Sequence, residues 1–312
     1  MEALHKELIE KIHGKILFNE SMQKHTTFRI GGPVDIMILP KDLDDVKCTV
    51  AYAKKNGVAL QVIGNGSKLL VNDQGIRGII IKITNTLGNL DVVDESVIAD
   101  AGCLLSTLIH TSRKLNLSGM EFAAGIPATL GGAIWMNAGT PLGSISEVID
   151  EVTAMNPSDC SMRVFSREEC HFGLRQSIFQ KNQFIILQAK LQLKKGDPGE
   201  IDDKIAALIQ KRQKTQPLNL PNAGCIFKNP VGQAAGQLVD RLGLKGLKFG
   251  GAEISQVHAN FIVNLGGARA ADVLALMNIM RKKVYGSFGL VLEPELRLLE
   301  MSLGEVAAKQ VP

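Results

Sequence analysis

The stretch Gly125-Ile126-Pro127-Ala128-Thr129-Leu130-Gly131-Gly132-Ala133 is one of two glycine-rich turns on which the interpretation of the fold depends. The other, Gly64-Asn65-Gly66-Ser67, directly follows the predicted short strand Leu60–Ile63. Such turns let backbone N–H groups converge on phosphate oxygens, and Ser67 and Thr129 add hydroxyl donors. Neither turn has the Gly-Lys-Ser/Thr ending of a Walker A loop, and neither is a G-x-G-x-x-G within a βαβ unit. Either turn alone is better explained as a tight turn without a ligand. Two such turns in one domain are explained equally well by plain tight turns and by a site for a pyrophosphate-bearing cofactor.

The composition is that of a globular protein with a sizeable core and enough residues for two domains. The chain has 312 residues, of which 45% are hydrophobic and 21% are charged. Its 35 basic and 31 acidic residues give a net charge of +4. This excess is small and dispersed, so it does not indicate a nucleic-acid partner. It is compatible with a local basic site for an anionic metabolite.

The cysteines indicate a reducing compartment, and the N-terminus does not have the pattern of a signal peptide. The five cysteines are an odd number, widely spaced and without a C-x-x-C pair, so neither a disulfide framework nor a metal site is expected. A reducing cytoplasm fits this usage best. Residues 1–14 alternate apolar and charged side chains, which predicts an amphipathic helix rather than a signal peptide. No uncharged apolar run approaches the length of a transmembrane helix, so no membrane partner is expected.

The hydrophobic pattern predicts an α+β chain with two domains. Residues 194–199 contain lysines, glycines and a proline that break regular structure, and they place the domain boundary near residue 198. The predicted strands are 34–39, 60–63, 78–83, 97–99, 183–193 and 290–299, and the predicted helices are 42–56, 104–115, about 201–216 and 273–284.

The segment Asn222-Ala223-Gly224-Cys225-Ile226-Phe227-Lys228-Asn229-Pro230 places a thiol beside a flexible glycine. Gly224 allows a tight bend, and Pro230 prevents a helix or an inner strand from continuing. We therefore expect Cys225 on a bend, where a protonated thiol can donate a proton. The lysine and asparagine that follow suit an anionic, hydroxyl-rich ligand. Taken alone, however, the segment is better explained by a cysteine that packs in the core.

Two arginines stand in sequence contexts that suit an anionic ligand. Arg29 precedes the pair Gly31-Gly32 and could reach a phosphate or a flavin edge, although a surface arginine before a turn explains the segment slightly better. Arg175 lies among the apolar residues of 172–179, where burial of a guanidinium requires a partner. A bound carboxylate or phosphate and a structural ion pair explain Arg175 equally well.

The second half of the chain offers acidic residues and a histidine. A strand of period two would place Glu293, Glu295 and Arg297 on one face, which is more often solvated than functional. Pro294 indicates an edge strand or an irregular one. His258 precedes an apolar strand and is better explained by a structural role than by a catalytic one.

Taken together, these segments resemble the UDP-N-acetylenolpyruvoylglucosamine reductase (MurB) family, in its shorter type II form without a long insertion after Gly139. The resemblance runs from about residue 27 to residue 299. Each matching piece is weak alone, whereas their joint occurrence in the order of the family is specific. The pieces are 27–32, 64–67, 125–127, 131–133, 136–139, 175–177, 216–217, 223–230, 235–238 and 292–295.

The resemblance implies an FAD-binding region of two subdomains, of the PCMH or vanillyl-alcohol-oxidase type, at residues 27–197. An N-terminal helix and lead-in (1–26) would precede it, and a C-terminal α+β substrate domain (198–312) would follow. The resemblance also implies non-covalent FAD, NADPH as co-substrate, and hydride transfer to the enolpyruvyl group of UDP-N-acetylglucosamine enolpyruvate. The product would be UDP-N-acetylmuramate, a peptidoglycan precursor, made by a cytoplasmic and monomeric UDP-N-acetylmuramate dehydrogenase.

The same resemblance implies that Arg175, Cys225 and Glu295 are the catalytic residues. Hydride addition places negative charge at the pyruvyl carboxylate, which Arg175 and Glu295 would stabilise, with a protonated Glu295 as one option. Cys225 would give a proton to the α-carbon, in place of the serine of many relatives, because a thiol of reference pKa about 8.5 is protonated at neutral pH. The implied cofactor-binding residues are Arg29, Gly64, Asn65, Gly66, Ser67, Gly125, Ile126, Pro127, Thr129, Gly132 and Ala133, and the implied substrate-binding residues are Gln216, Lys228 and Asn229.

Several positions depart from the family pattern. Lys68 stands where asparagine is common and would add a charge near the FAD pyrophosphate or point to solvent. Ala128 replaces a frequent glycine, Thr140-Pro141 replaces Ala-Tyr, and Leu174 replaces a tyrosine. The alternatives are another FAD-dependent oxidoreductase of the same fold and an inactive FAD- or UDP-sugar-binding homologue. Residues 64–68 lack the His or Cys of covalent flavin enzymes, and the three catalytic residue types argue against lost turnover.

Overall fold

The computed structural model describes residues 8–182 and 184–303, with the backbone alone described at Asn85. The chain forms two compact units. The first contains residues up to 19, 35–65 and 78–211, and the second contains 20–34, 66–77 and the residues from 212 onward. The domain boundaries expected from the sequence stay a prediction. Of the helix predicted at 1–14, residues 8–11 are helical and residues 1–7 lie outside the described residues.

Helices and strands alternate along the described chain. The helices are α1 (Leu43–Asn56), α2 (Leu105–Lys114), α3 (Leu130–Met136), α4 (Phe179–Asn182), α5 (Pro198–Thr215), α6 (Ala235–Arg241) and α7 (Ala270–Phe288). The strands are β1 (Lys15–Ser21), β2 (Pro33–Leu39), β3 (Leu60–Ile63), β4 (Leu69–Val71), β5 (Ile76–Lys82), β6 (Leu90–Val93), β7 (Ser96–Asp100), β8 (Leu117–Ser118), β9 (Gly139–Thr140), β10 (Gly143–Ser144), β11 (Ile149–Met155), β12 (Met162–Ser166), β13 (Ile185–Gln192), β14 (Lys194–Lys195), β15 (Lys248–Phe249), β16 (Ala252–Ile254), β17 (Ile262–Asn264) and β18 (Arg297–Leu299).

The first unit is organised around two sheets. One is antiparallel, with the strand order β12-β11-β13-β7-β6, and Val152 at its centre lies opposite Phe165 on one side and Ala189 on the other. The other has the order β1-β2-β5-β3, in which β3 runs parallel to β5. Apolar faces of sheets and helices must be buried against one another. They do so here in one core that includes Ile81 and Leu105.

Helix α1 shows how local sequence sets these elements. Asp42 is its N-cap and accepts a hydrogen bond from Asp45 N (3.0 Å). Gly57 follows the last turn at φ +62°, the left-handed conformation that ends helices and that glycine adopts without strain. The predicted helix over 42–56 is therefore confirmed, and the predicted strands 34–39 and 60–63 are confirmed to within one residue.

The second unit has a small antiparallel sheet, β15-β16-β17, and a parallel pair, β18-β4, in which Leu298 lies opposite Leu70. Its core brings together the fully buried side chains of Phe28, Leu70, Phe227 and Met277. Segments that are distant in the sequence therefore share one core, and helix α7 supplies much of it. Helices and strands in both units confirm the α+β fold class.

The predicted strand over 290–299 is wrong for most of its length, because only Arg297–Leu299 pairs as a strand. Pro294 has no N–H to donate, and it makes only an isolated bridge with Phe227. The side chains of Glu293 and Glu295 are 71% and 9% exposed, so they do not share one face as predicted. Elsewhere, among the described residues, no helix is long and apolar enough to cross a membrane.

Candidate active site

The cysteine segment forms a fixed bend in the second unit. Gly224 has φ +73°, a left-handed conformation that favours glycine. Asn260, which is buried, holds the two residues after the thiol. Its backbone O accepts from Ile226 N (2.8 Å), and its side chain bonds to Phe227 N and Phe227 O (3.0 and 2.8 Å). Cys225 is therefore half-buried on a bend whose backbone is fixed on the side that follows it.

The acidic segment pairs with the cysteine segment through its backbone. Glu295 N donates to Ile226 O (2.8 Å), and Lys228 N donates to Glu293 O (2.9 Å). The side chain of Glu295 is almost fully buried, whereas that of Glu293 is exposed and lies 3.5 Å from Lys228 Nζ. Glu295 is therefore the acid that this fold buries beside the cysteine segment, which the sequence alone left open.

Lys68 connects the two segments. Its Nζ lies 2.8 Å from Glu295 Oε1 and donates to Cys225 O at 2.8 Å. Its backbone O accepts from Arg297 N (2.9 Å), directly beside the β18-β4 pair. The expected position in solvent is therefore wrong for this side chain, whereas a position near the FAD pyrophosphate stays a prediction. The side chain is 27% exposed and is bound to the cysteine and acidic segments.

The three predicted substrate residues have structural contacts of their own. Lys228 Nζ lies 3.5 Å from Glu293 Oε2. Asn229 is exposed, and its Oδ1 accepts from Ala235 N (3.0 Å) at the start of α6. Gln216 is half-buried directly after α5. Lys228 and Asn229 follow the thiol within four residues, so this side of the bend carries cationic and amide groups.

Arg175 lies in the first unit, in a loop closed by reciprocal backbone hydrogen bonds between Gly173 and Gln176 (3.0 and 3.1 Å). Its φ of +55° is unusual for a residue with a side chain and is stabilised by this closure. The guanidinium donates to the carbonyl oxygens of Asn137 (3.4 Å) and Gly139 (2.9 Å). Asn137 Nδ2 in turn donates to Gly173 O (2.8 Å). The two segments thus fix the direction of the half-buried Arg175 side chain.

The turn at 125–133 and residues Gly64 and Asn65 of the other glycine-rich turn lie in the first unit and fit a pyrophosphate. A Cβ on Gly64 would lie 2.2 Å from Thr129 Oγ1, so only glycine allows this approach. Asn65 Nδ2 donates to Pro127 O (2.9 Å), which holds the turns together. Among the described residues, no acceptor bonds to the backbone N–H of Asn65 or Thr129. Close glycine packing with backbone donors left over is the arrangement that receives phosphate oxygens.

Matches to known proteins cover nearly the whole chain. Residues 216–299 match the family described as UDP-N-acetylenolpyruvoylglucosamine reductase, C-terminal domain, and residues 34–164 match an FAD binding domain. The UDP-N-acetylenolpyruvoylglucosamine reductase of Alkaliphilus oremlandii is 44% identical over 91% of this chain and 93% of its own length. That of Bacillus pumilus is 42% identical over 96% and 99%. The crystal structure of UDP-N-acetylenolpyruvylglucosamine reductase (MurB) from Thermus caldophilus has a TM-score of 0.79 at 35% identity, covering 92% of this chain and 99% of that chain.

The chain belongs to the UDP-N-acetylenolpyruvoylglucosamine reductase family. Within this family member, the predicted cofactor residues differ in exposure. Gly125, Pro127, Gly132 and Arg29 are exposed, Gly64, Asn65, Ser67 and Ile126 are half-buried, and Gly66, Thr129 and Ala133 are buried. Ala133 packs in the core of the first unit, and its N–H donates to Thr129 O (2.9 Å). Gly132 N donates to Thr129 Oγ1 (3.3 Å). All eleven stay predicted ligands.

Sequence reasoning missed residues that position the site of this reductase-family chain. Asn260 fixes the cysteine bend and Asn137 fixes Arg175, yet neither was singled out for that role. Lys68 was noted only as a departure from the family pattern. Asn137, at φ +44°, adopts a left-handed conformation that asparagine tolerates, so an asparagine directly after a helix is the signal in the sequence. Asn260 gives no comparable signal, because the partner of its side chain, Phe227, is 33 residues away.

Proposed function

We propose that this chain is a UDP-N-acetylenolpyruvoylglucosamine reductase, that is, a UDP-N-acetylmuramate dehydrogenase. Its substrate would be UDP-N-acetylglucosamine enolpyruvate, and its product would serve peptidoglycan precursor synthesis. Bound FAD would supply the hydride carrier between NADPH and the enolpyruvyl alkene. The observation that carries the proposal is the position of Cys225 on a fixed bend, next to Ile226, whose backbone O accepts from the N–H of the buried Glu295. The chain that contains this bend matches such reductases over almost its full length.

Different residues of the chain stabilise the charge and donate the proton in this reaction. Hydride addition to the terminal alkene carbon places negative charge on the α-carbon and the carboxylate beside it. Arg175, fixed by the carbonyl oxygens of two residues, supplies a directed positive charge for that carboxylate. Cys225 then donates its proton to the α-carbon, which completes the reduction of the double bond. Glu295 lies beside the thiol segment and is the second residue proposed to stabilise the negative charge at that carboxylate.

The ligand assignments follow the same proposal. The region at 27–197 would bind FAD through Arg29 and the two glycine-rich turns, and the region at 198–312 would bind the UDP-sugar through Gln216, Lys228 and Asn229. We further infer a cytoplasmic monomer. Light scattering on a size-exclusion column checks the monomer directly, and a mass of twice 33.7 kDa contradicts it.

Anaerobic flavin spectroscopy tests the function. NADPH added to the purified protein should bleach the flavin absorbance, and UDP-N-acetylglucosamine enolpyruvate should then restore it without oxygen. UDP-N-acetylglucosamine, which lacks the alkene, is the matched control and should leave the flavin reduced. Reoxidation by neither compound contradicts the proposed substrate. A colourless protein that retains no flavin absorbance after incubation with FAD and removal of the unbound cofactor contradicts the flavin chemistry.

A further inference from the structure

Lys68 lies between the segments that carry the proposed proton donor and the buried acid. Its ammonium lies 2.8 Å from Glu295 Oε1 and 2.8 Å from Cys225 O. We propose that Lys68 is a positioning residue for the step that reduces the substrate: it fixes the Glu295 carboxylate and the backbone that carries the thiol in one arrangement. This inference rests on the proposed function and concerns only its second half-reaction.

The space around the ammonium supports a positioning role. A Cβ added to Gly224 would lie 3.2 Å from Lys68 Nζ, so the side chain passes close to the backbone of the cysteine segment. The backbone O of Lys68 accepts from Arg297 N (2.9 Å), and Glu295 N donates to Ile226 O (2.8 Å). Main-chain and side-chain bonds therefore connect the same segments, and the lysine is held at both ends.

The charges of Lys68 and Glu295 also support a positioning role. The side chain of Glu295 is 9% exposed and that of Lys68 is 27% exposed, so their attraction is screened less than that of a surface pair. A carboxylate without this ammonium would repel the anionic pyruvyl carboxylate of the proposed substrate. Lys68 cancels that charge. An asparagine at this position, as the family pattern favours, has a shorter and neutral side chain that cannot provide the same compensation.

The test compares the two half-reactions in Lys68→Met and Lys68→Arg. In Lys68→Met, bleaching by NADPH should keep its rate within about twofold, while reoxidation by UDP-N-acetylglucosamine enolpyruvate should slow roughly 10-fold and need more substrate for half-saturation. Lys68→Arg, which keeps the charge, should recover most of the reoxidation rate. Lys245→Met is the matched control, because Lys245 makes an ion pair of equal length with Asp240, and both half-reactions should be unchanged.

The outcomes separate this inference from the function itself. Reoxidation at the parent rate in Lys68→Met overturns the positioning role, and so does equal slowing of both half-reactions, which indicates general damage. If Lys68→Met does not fold, the comparison of Lys68→Arg with Lys68→Gln decides, and equal reoxidation rates reject the role of the charge. Failure of the parent protein to be reoxidised rejects the proposed function instead. Adding Glu295→Gln to Lys68→Met should cost less than the sum of the two single changes, because the residues form one pair.

Discussion

Cys225 is the residue of the second unit that we propose as the proton donor. Its bend combines a left-handed glycine, the hydrogen bonds of Asn260 to the following residues and the ammonium of Lys68 on its carbonyl oxygen. A cysteine that served only as a small apolar residue would not require this fixation of its backbone. At the residue scale, the backbone that carries this thiol is held in a defined position, and the role of the thiol as proton donor stays a prediction.

Substitution of Cys225 separates proton donation from hydride supply. Cys225→Ala removes the proton donor, so NADPH should still bleach the flavin at the parent rate, while product formation should fall about 100-fold or more. Cys225→Ser keeps a donor and should retain both half-reactions. Cys160→Ala, at a half-buried cysteine of the first unit, is the control. Equal loss of both half-reactions in Cys225→Ala would contradict the proton-donor role.

His258 makes a prediction about stability rather than catalysis. Its Nδ1 accepts from Asn260 N (3.1 Å) and its ring packs on Phe261, so it has the structural role that the sequence favoured. Burial lowers the pKa of His258, with the nearby positive charge of Lys245 acting in the same direction. Because the unfolded chain then binds the proton more readily, the contribution of His258 is complete above about pH 6.5 and is lost as the pH falls.

Urea unfolding at pH 7.5 and pH 5.5 measures this dependence. The loss of unfolding free energy between the two pH values should be smaller in His258→Gln than in the parent protein. His110→Gln, at an exposed position on α2, is the control and should keep the full loss. An undiminished loss in His258→Gln would refute the assignment.

At the scale of elements, local sequence predicted structure where caps and periodicity act within a few residues. Helix α1 has an aspartate N-cap and a glycine C-cap, and both could be recognised in the sequence. The final strand could not be bounded in this way, because Pro294 interrupts an apolar run whose partner, β4, lies more than 200 residues earlier. Period alone does not report which neighbour a strand will find.

In the candidate site too, local sequence predicts some features, whereas others depend on contacts between distant residues. The residue types at Arg175, Cys225 and Glu295 stood out because each lay in a recognisable segment. Lys68 contacts Cys225 and Glu295, which follow it in the sequence by 157 and 227 positions. These contacts depend on tertiary structure, and no rule of sequence spacing covers such separations. Residues that position a site through long-range contacts are thus the part that sequence reasoning leaves out.

The turn at Gly64 provides a prediction at this scale. In Gly64→Ala the new methyl group would meet Thr129 Oγ1 at 2.2 Å and displace it from its cap on Gly132 N. We expect reduced FAD content on purification and about 1 kcal/mol lower stability from the lost cap alone. Flavin absorbance per protein and thermal melting measure both.

Gly286→Ala is the matched control for that change. A Cβ at Gly286, inside α7, meets nothing within 4 Å. Alanine in a helix interior should keep full FAD content and add up to about 1 kcal/mol of stability. Unchanged flavin content in Gly64→Ala would show that the approach of the two turns is not needed for FAD.

At the scale of the whole molecule, each compact unit has its own core, and the order of the sequence does not follow them. Residues 20–34 and 66–77 fold into the second unit because Phe28 and Leu70 pack with Phe227 and helix α7. Sequence continuity therefore places Gly64 and Lys68 close together in the chain, but they serve different units. The first unit contains the turn at 125–133 and residues Gly64 and Asn65, whereas the second contains the thiol and the acid.

A cofactor that binds through those turns should stabilise the whole protein by mass action. Removal of FAD should lower the melting temperature, and FAD added at 100 times its dissociation constant should restore about 2.7 kcal/mol. Flavin mononucleotide carries the same ring system but lacks the pyrophosphate and the adenylate, so at equal concentration it should restore less. In Gly64→Ala the difference between the two cofactors should shrink, because the turn that receives the pyrophosphate is disturbed. Equal stabilisation of the parent protein by both cofactors would mean that the glycine-rich turns do not bind the pyrophosphate.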